Sequence, residues 1–508
     1  MSAATNITDL LAAGRDDAPA IAAPDRPALT HAELRRLAAD TVARLNRLGI
    51  GRNDPVAIVL PNGPEMATAF VAIACGATTA PLNPAYRADE FDFYLGDLAA
   101  RALVVERGSQ SPAIAVAQAR GVPIVELVAD PSGPAGAFVL EGAAMPGGGA
   151  HGPADSDDVA LVLHTSGTTS RPKMVPLRHR NVCASARNIR VALGLTAADR
   201  CLNIMPLFHI HGLIAAVLSS LGAGGSVFCA PGFNALRFFA QLSEARPTWY
   251  TAVPTMHQAI LARADRNREA IAAAPLRLIR SSSASLPPQV MRALEETFSV
   301  PVIESYGMTE AAHQMASNPL PPRPRKPGTV GVAAGPEVAI MAEAGAALLP
   351  PGETGEVVIR GDNVTSGYAA NPDANAKAFT DGWFRTGDQG VIDADGYLTI
   401  TGRLKELINR GGEKISPREV DEVLMDHPAV DQALTFSMPH DKLGEEVAAV
   451  VVLAAGQTAT EAELRAFVSQ RLADFKVPRR VLFLDEIPKG ATGKLQRIGL
   501  AQRLGLTA

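Results

Sequence analysis

Short apolar runs alternate with amphipathic segments along most of the chain, a pattern typical of βα units and parallel sheets. The apolar runs predict buried strands at 55–61, 100–106, 158–165, 246–254, 276–282 and 301–307. The segments between them predict helices, for example at 63–77 and 180–193. The Gly/Pro-rich stretch at 131–158 is expected to be a surface connection. The pattern therefore indicates an α/β fold of layered parallel sheets.

The pattern of hydrophobic and turn-forming residues changes after about residue 330. Gly and Asp turns there separate pairs of β-branched residues, which predicts antiparallel hairpins up to Arg403. Beyond them a compact α+β block is expected, with helices at 417–426 and 460–473 and strands at 432–438, 446–453 and 480–484. We therefore predict a large N-terminal domain over 1–403, with its β-rich part at about 330–403, and a small C-terminal domain over 404–508.

Composition narrows the possible partners. The chain has 508 residues, of which 47% are hydrophobic and 19% charged, with a net charge of -5. This length and apolar fraction suit several buried cores. The charge balance gives no electrostatic reason to expect nucleic acid or an anionic membrane as partner. The 4 cysteines are scattered without C-x-x-C spacing, so neither a zinc site nor a disulfide framework is indicated.

Targeting signals are not evident in the sequence. The first residues, MSAATNITDLL, lack a basic region followed by an apolar run, and no apolar stretch reaches the length of a membrane span. The final residues, GLTA, do not form a peroxisomal S-K-L signal. We therefore expect a cytoplasmic protein without membrane insertion. Both a monomer and a homodimer remain open.

A hydroxyl-rich loop follows the strand predicted at 158–165. Its sequence HTSGTTSRPK holds groups that could wrap a polyphosphate, namely the hydroxyls of Thr165, Ser166, Thr168 and Thr169, the backbone around Gly167 and the charge of Lys173. The spacing is not that of a Walker A loop, and an isolated loop of this kind is more often a solvated turn. The rest of the chain decides between these interpretations.

The loop resembles the signature T-S-G-T-T-G-x-P-K-G of the adenylate-forming superfamily, which includes acyl-CoA synthetases, luciferases and peptide-synthetase adenylation domains. The further strings YGMTE, WFRTGDQG, GRLKELINRGGEKISPREVD and PKGATGK follow in the order of that family. Ser170 and Met174 depart from the signature, since glycine is usual at both positions. The hydroxyls, Gly167 and Lys173 are retained. The resemblance covers essentially the whole chain.

The resemblance implies carboxylate activation with ATP, Mg²⁺ and coenzyme A. In that chemistry an acid attacks the α-phosphorus of ATP, and a thiol then attacks the acyl-adenylate. The implied catalytic residues are Lys494, Thr309 and Glu310, with Glu310 also holding the metal. The implied ATP site comprises Thr165, Ser166, Gly167, Thr168, Thr169, Lys173, Glu304, Ser305, Tyr306, Thr309, Asp388, Arg403 and Lys494.

The resemblance also implies the adenylate-forming fold, with a mobile C-terminal domain. In this family that domain rotates about a hinge, which corresponds here to Lys405. One orientation would bring Lys494 to the nucleotide. The other would present Gly411 and Gly412 to the pantetheine arm of coenzyme A, because glycine permits close backbone approach.

Three segments offer polar groups where related ligases line the acid pocket. They are MPLFHIHGL at 205–213, RSSSASLPP at 280–288 and the residues after YGMTE. Coumarate–CoA ligases typically carry apolar G-P-V-L where this chain has Ala312 to Met315. A fatty or aryl tail would leave such donors unpaired at a cost of about 1–3 kcal/mol each. A small acid with a second carboxylate would satisfy them.

This set of segments resembles oxalate–CoA ligases, which implies that His209, Ser283 and His313 contact oxalate and that His211 is structural. Alternatives remain open at this point. The acid could be another short-chain, fatty or aryl (coumarate-like) acid, or the acyl group could be loaded onto a carrier protein. A nucleotide-binding regulatory protein without chemistry is a further alternative, against which the intact Lys494, Glu310, Asp388 and Arg403 argue.

Overall fold

The structure is a computed structural model that describes residues 4–165, 172–489 and 495–506. Within these ranges the strands form four sheets. Two are mainly parallel, one is an antiparallel β-rich sheet, and one belongs to a separate α+β part at the C-terminal end. The predicted α/β class, with its β-rich subdomain and small C-terminal domain, is confirmed.

The seven-stranded sheet has parallel strands in its centre and antiparallel strands at both edges. Its spatial order is Phe138–Glu141, Ile124–Ala129, Ala102–Glu106, Pro55–Val59, Thr78–Pro81, Val159–Thr165 and Lys173–Arg178. The stretch 131–158 is therefore more than a connection. It contains the edge strand Phe138–Glu141, whose Phe138 and Leu140 are buried, while alternate residues face outward.

The nine-stranded sheet carries the longest run of parallel strands. Its order is Val332–Ala333, His313–Ser317, Val302–Met308, Leu278–Ser281, Trp249–Ala252, Arg200–Asn203, Ser226–Cys229, Pro19–Ala22 and Leu29–Thr30. The strands from Val302–Met308 to Pro19–Ala22 are parallel, and those beyond them pair antiparallel. These parallel strands are almost fully buried, as expected of a sheet covered on both faces, and several of the buried residues are polar.

Helices separate and cover the two large sheets. The α-helices are Ile7–Leu10, His31–Arg47, Pro64–Ala74, Ala88–Asp97, Pro112–Ala119, His179–Ala192, Ser219–Gly222, Phe238–Ala245, Pro254–Leu261, Arg268–Ala273, Pro288–Phe298, Pro372–Ala378, Pro417–Met425, Glu461–Ser469 and Leu500–Arg503. Several begin with proline, whose missing N–H would have no helical partner at that position. Pro64–Ala74 is buried from Met66 onward in one apolar cluster with strands of both sheets, so the main core lies between them.

The sheet to which strands belong changes between Arg403 and Ile408. The β-rich sheet consists of Glu337–Met341, Thr354–Arg360, Trp383–Ile392, Phe379–Thr380 and Leu398–Arg403. The C-terminal sheet consists of Glu413–Ile415, Ile408–Arg410, Gly444–Leu453, Val430–His440 and Arg480–Phe483. The two parts touch through Arg418, whose guanidinium donates to the Ile400 carbonyl at 2.6 Å. None of the helices described here is both long and apolar enough to cross a membrane.

Candidate active site

Several predicted site residues follow the carboxyl ends of parallel strands in the nine-stranded sheet. His209 and His211 follow Arg200–Asn203, and Ser283 follows Leu278–Ser281. Thr309 and Glu310 follow Val302–Met308. Open α/β sheets bind ligands at this end of their strands, because the loops there converge. The topology therefore gathers segments that are more than 70 residues apart in sequence, as between His211 and Ser283.

A tight turn connects the nucleotide and acid segments. Strand Val302–Met308 passes through the 3₁₀ turn Thr309–Ala311 and returns antiparallel as His313–Ser317. A Cβ atom at Gly307 would lie 1.9 Å from the carbonyl oxygen of His313, so only glycine permits this close approach. The glycine of YGMTE thus sets the spacing between the two parts of the site.

We call Tyr306, Glu310, Tyr368, Asp388 and Arg403 the nucleotide side. Asp388 is buried, and its carboxylate accepts hydrogen bonds from the Tyr306 hydroxyl and, at 2.9 Å, from Arg403 Nε. Burial raises the pKa of Tyr306 well above its usual value, so the phenol stays protonated and donates. The coulombic attraction of Asp388 raises the pKa of Arg403. The Asp388 oxygens retain further lone pairs for additional donors.

Glu310 completes this side with a second buried carboxylate. Its Oε1 accepts a hydrogen bond of 2.9 Å from the Tyr368 hydroxyl. Burial raises the pKa of Glu310, and the Lys173 ammonium lies 4.4 Å from the centre of the Tyr368 ring. Burial is also the main cause that lowers the pKa of Lys173, followed by the charge of Lys405. Tyr368 was not identified from the sequence, because a single tyrosine in a Gly-rich loop carries no distinctive signal.

Glu304 and Ser305 are buried beneath the turn. The Leu286 N–H donates to Glu304 Oε1 at 2.9 Å, and Ser305 Oγ lies 3.1 Å from Ser317 Oγ. Burial raises the pKa of Glu304 to about 7. In this structure both side chains bond to protein groups that support the serine-rich loop and the returning strand.

We call Thr251, His211, Arg280, Ser283, His313 and Gln314 the acid side. His211 Nδ1 lies 3.0 Å from Ser283 Oγ, and the rings of His211 and His313 lie 5.0 Å apart. His209 lies two residues before His211, and its Nδ1 accepts the His211 N–H at 3.3 Å. The structure thus joins Ser283 and His313 through His211.

Backbone strain is concentrated on the acid side. Ser283, Ala312 and His313 have φ angles of 75°, 47° and 107°, a region that residues other than glycine rarely occupy. Such conformations cost on the order of 1–3 kcal/mol each and persist where the surrounding structure enforces them. The segment His211–Leu218 adds a π-helical stretch that begins at the histidine itself. Irregular helices of this kind often occur at functional sites.

Three acid-side residues, Thr251, Arg280 and Gln314, were not identified from the sequence. Arg280 is fully buried and lies within hydrogen-bonding distance of His211, Thr251, His313 and Gln314. The only signal in the sequence was a charged residue at the end of the apolar run LRLIRSS. Gln314, which had no predicted role, accepts from Arg280 and donates to the Ala334 carbonyl at 3.3 Å.

Part of the predicted site lies outside the described residues, namely Ser166, Gly167, Thr168, Thr169 and Lys494. Thr165 ends its strand opposite Lys173, and the Lys173 ammonium lies over the ring of Tyr368. Gly411 and Gly412 form the turn between Ile408–Arg410 and Glu413–Ile415, with φ angles of 59° and 102°. Lys405 lies in the connection between the two domains, after Arg403.

Comparison with known proteins gives the same assignment over most of the chain. Residues 10–369 match the model of the AMP-binding enzyme family, and residues 419–494 match that of the AMP-binding enzyme C-terminal domain. Oxalate–CoA ligase of Arabidopsis thaliana is 46% identical over 493 residues, which cover 94% of this chain and 96% of that protein. Oxalate–CoA ligase of Saccharomyces cerevisiae is 44% identical, covering 87% of this chain and 85% of that protein.

A solved structure extends the comparison to three dimensions. ATP-bound MatB from Rhodopseudomonas palustris superposes with a TM-score of 0.88 at 30% identity, covering 98% of each chain. The ordered motifs, the convergence of Tyr306, Glu310, Asp388 and Arg403 at one end of the sheet, and these matches agree: the chain belongs to the AMP-binding enzyme family.

Proposed function

We propose that this chain is an AMP-forming acid–thiol ligase that converts oxalate, ATP and coenzyme A to oxalyl-CoA, AMP and pyrophosphate. The observation that carries the choice of acid is the buried polar acid side, which lies one turn away from the nucleotide side. Relatives named oxalate–CoA ligases at 44–46% identity support it. A mechanism follows from what each group can donate or accept.

The nucleotide side provides the groups that ATP needs. The lone pairs left on Asp388 can accept both ribose hydroxyls, while Arg403 and Tyr306 hold the carboxylate in place. The aromatic ring of Tyr306 is assigned to stacking on adenine. Thr309 at the start of the turn is assigned to the α-phosphate, and Lys173 with the loop 165–169 to the outer phosphates.

Glu310 is the residue that would hold Mg²⁺. The described residues contain no cluster of three or more His, Cys, Asp or Glu side chains. A single carboxylate nevertheless fits this ion, which is commonly bound by one or two carboxylates together with substrate phosphates and water. When bound, Mg²⁺ neutralises phosphate charge. Tyr368 would hold the Glu310 carboxylate in place by donating to its Oε1.

The acid side selects the substrate by its donors. The hydroxyl of Ser283 and the ring of His313 are assigned to the distal carboxylate, and His209 is assigned to a further contact with the same acid. A fatty or aryl tail placed here would desolvate these groups without pairing them, at a cost of about 1–3 kcal/mol for each group. Oxalate offers four oxygens in a small volume and pairs them instead.

Two catalytic states require movement of the C-terminal domain. We assign residues 1–403 and 404–508 to the two domains and Lys405 to the hinge, where sheet membership changes. In the first state Lys494 bridges the attacking carboxylate and the α-phosphate, where charge shifts during adenylation. In the second the turn Gly411–Gly412 provides a narrow passage for the pantetheine thiol.

An acid panel tests the proposal. Pyrophosphate release is measured with oxalate, malonate, acetate, octanoate and coumarate, and thioester formation with free coenzyme A is followed in parallel. We expect the highest kcat/KM for oxalate. We also expect one thioester to form for each pyrophosphate released. A higher kcat/KM for octanoate or coumarate would overturn the assigned acid. Adenylate formation without a thioester would point to a carrier protein as acceptor.

A further inference from the structure

Arg280 lies at the centre of the acid side. It belongs to the strand Leu278–Ser281, opposite Thr251 on one neighbouring strand and Ile303 on the other. Its relative exposure is 0%, although charged side chains are seldom fully buried without an opposite charge. The proposed mechanism does not use it.

Among the residues that the structure describes, none of the hydrogen-bond partners of the Arg280 guanidinium is a carboxylate. Nη1 lies 3.3 Å from His211 Nε2 and 3.4 Å from Thr251 Oγ1. Nη2 lies 3.4 Å from both His313 Nδ1 and Gln314 Oε1. Nε has no hydrogen-bond partner there. A buried charge without an opposite charge is expensive, so this arrangement favours an anion nearby.

Burial makes the Arg280 guanidinium easier to deprotonate, but the group remains charged. Desolvation lowers the pKa of Arg280 to about 9, which leaves the guanidinium protonated at neutral pH. The group therefore remains a donor with no acceptor capacity. This property constrains each ring that it contacts.

The contacts fix which nitrogen of each histidine carries a proton. His211 Nε2 lies 2.6 Å from the Thr251 hydroxyl and 3.3 Å from Arg280 Nη1, and because a guanidinium can only donate, we assign Nε2 as the acceptor. Its proton then resides on Nδ1 and is donated to Ser283 Oγ at 3.0 Å. His313 Nδ1 likewise accepts from Arg280, which places its proton on Nε2. The second hydrogen bond of an imidazole commonly selects its tautomer in this way.

The consequence concerns the direction of the Ser283 hydroxyl. Because Ser283 Oγ accepts from His211, its own proton is available to donate to another group. We propose that Arg280 is a positioning residue that holds His211 and His313 in these neutral tautomers, so that Ser283 and His313 act as donors to the distal anionic group of the acid. Its unpaired charge adds a positive potential that favours a dianionic acid over a monoanionic one. The inference rests on the proposed dicarboxylate substrate.

The kinetic test removes the guanidinium of Arg280 and keeps an unbranched side chain similar in length to the aliphatic part of arginine. Arg280→Met should raise KM for oxalate about 30-fold and change KM for ATP less than about twofold, since a charged hydrogen-bond network is lost only on the acid side. Arg280→Lys keeps the charge and should recover part of this loss. Arg277→Met is the matched control, because Arg277 lies three residues away and pairs with Asp199 instead. It should leave both KM values unchanged.

The spectroscopic test uses the unmodified protein and therefore does not depend on the folding of a variant. Ring ¹⁵N shifts of histidine-labelled protein, assigned with His211→Asn and His313→Asn, should show protonation of Nδ1 in His211 and of Nε2 in His313. In Arg280→Met the proton of each ring should no longer be confined to that nitrogen, and the ¹⁵N shifts of both histidines should change accordingly. A purely structural arginine would lower thermal stability while leaving the tautomers and the preference for oxalate intact.

The outcomes separate this inference from the proposed function. Opposite tautomers in the unmodified protein, or an unchanged oxalate KM in Arg280→Met, would overturn the inference while leaving oxalate as the acid. Equal rises in KM for oxalate and ATP would also overturn it. An unmodified enzyme that does not activate oxalate would instead refute the proposed function, whatever the variants show.

Discussion

The two sides of the site balance their charges differently. On the nucleotide side each carboxylate already has a donor, because Asp388 pairs with Tyr306 and Arg403 while Glu310 pairs with Tyr368. On the acid side the buried cation Arg280 has no carboxylate among its hydrogen-bond partners in the described part of the chain. The first arrangement pairs its charges before any ligand binds, whereas in the mechanism that we propose the second is completed by the anionic acid. Changes on the nucleotide side should therefore affect every acid alike, whereas acid-side changes should alter the preference among acids.

The largest effect is expected at Lys494, which would serve both sides by contacting the α-phosphate and the acid. Lys494→Ala should lower the adenylation rate about 1,000-fold with every acid, because a preorganised positive charge at the reacting atoms is lost. Stopped-flow pyrophosphate release measures this rate, while the thermal midpoint and ATP affinity should change little. Lys442→Ala, which removes an exposed lysine of the same domain, is the control. An unchanged rate would remove Lys494 from the mechanism.

The next largest effect is expected in the pH dependence of the stability of the folded protein, through the buried Glu304 beneath the serine-rich loop. Burial raises its pKa from 4.5 to about 7, so the folded state keeps a proton that the unfolded chain loses. The proton that Glu304 keeps therefore stabilises the folded state. This stabilisation is complete below pH 4.5, and the free energy of unfolding falls by roughly 3 kcal/mol in total as the pH rises to about 7.

Glu304→Gln removes this titration. The thermal midpoint of the variant relative to the unmodified protein should therefore increase between pH 5 and pH 7.5. Differential scanning calorimetry at the two pH values measures it. A difference that is the same at both pH values would show that Glu304 is not protonated in the folded state.

Ser283 tests whether the acid side controls preference. Ser283→Ala should lower kcat/KM for oxalate about 10-fold, since one hydrogen bond to a charged group is lost, and should affect acetate less. Steady-state assays with both acids measure the ratio. Ser285→Ala in the same loop is the matched control and should leave the ratio unchanged. Equal losses for the two acids would contradict a role in selection.

The smallest effect is expected at Tyr368 on the nucleotide side. Tyr368→Phe removes the hydroxyl that donates to Glu310, and kcat should fall about fivefold for every acid while the preference among acids is unchanged. Tyr397→Phe provides a comparison, because its hydroxyl donates to the Pro324 carbonyl away from the site. A changed ratio between oxalate and acetate would break the division into two independent sides.

The elements of the fold could be predicted from local patterns. The runs expected at 301–307 and 158–165 form the strands Val302–Met308 and Val159–Thr165, because the apolar residues of each run are buried within a sheet. The edge strand Phe138–Glu141 was not predicted separately. Its four residues lie between Gly/Pro-rich stretches, and its pairing with Ile124–Ala129 is visible only in the folded sheet.

The candidate site was predictable where residues lie in a motif and not where they meet through folding. Tyr306, Thr309 and Glu310 lie within five residues, so their common position is evident in the sequence. Arg280, Gln314 and Tyr368 have no motif of their own. Their roles depend on contacts with His211, His313 and Glu310, which come from other segments.

The sequence by itself determined the α/β class, the domain order, the family motifs and the polar character of the acid pocket. These properties follow from hydrophobic periodicity and from the identity of neighbouring residues, which are local quantities. The tertiary structure alone decided which side chains share a hydrogen bond and which buried charge has no opposite partner. Such facts depend on burial and on distances between remote segments. The charge balance that separates the two sides of the site is therefore a property of the fold.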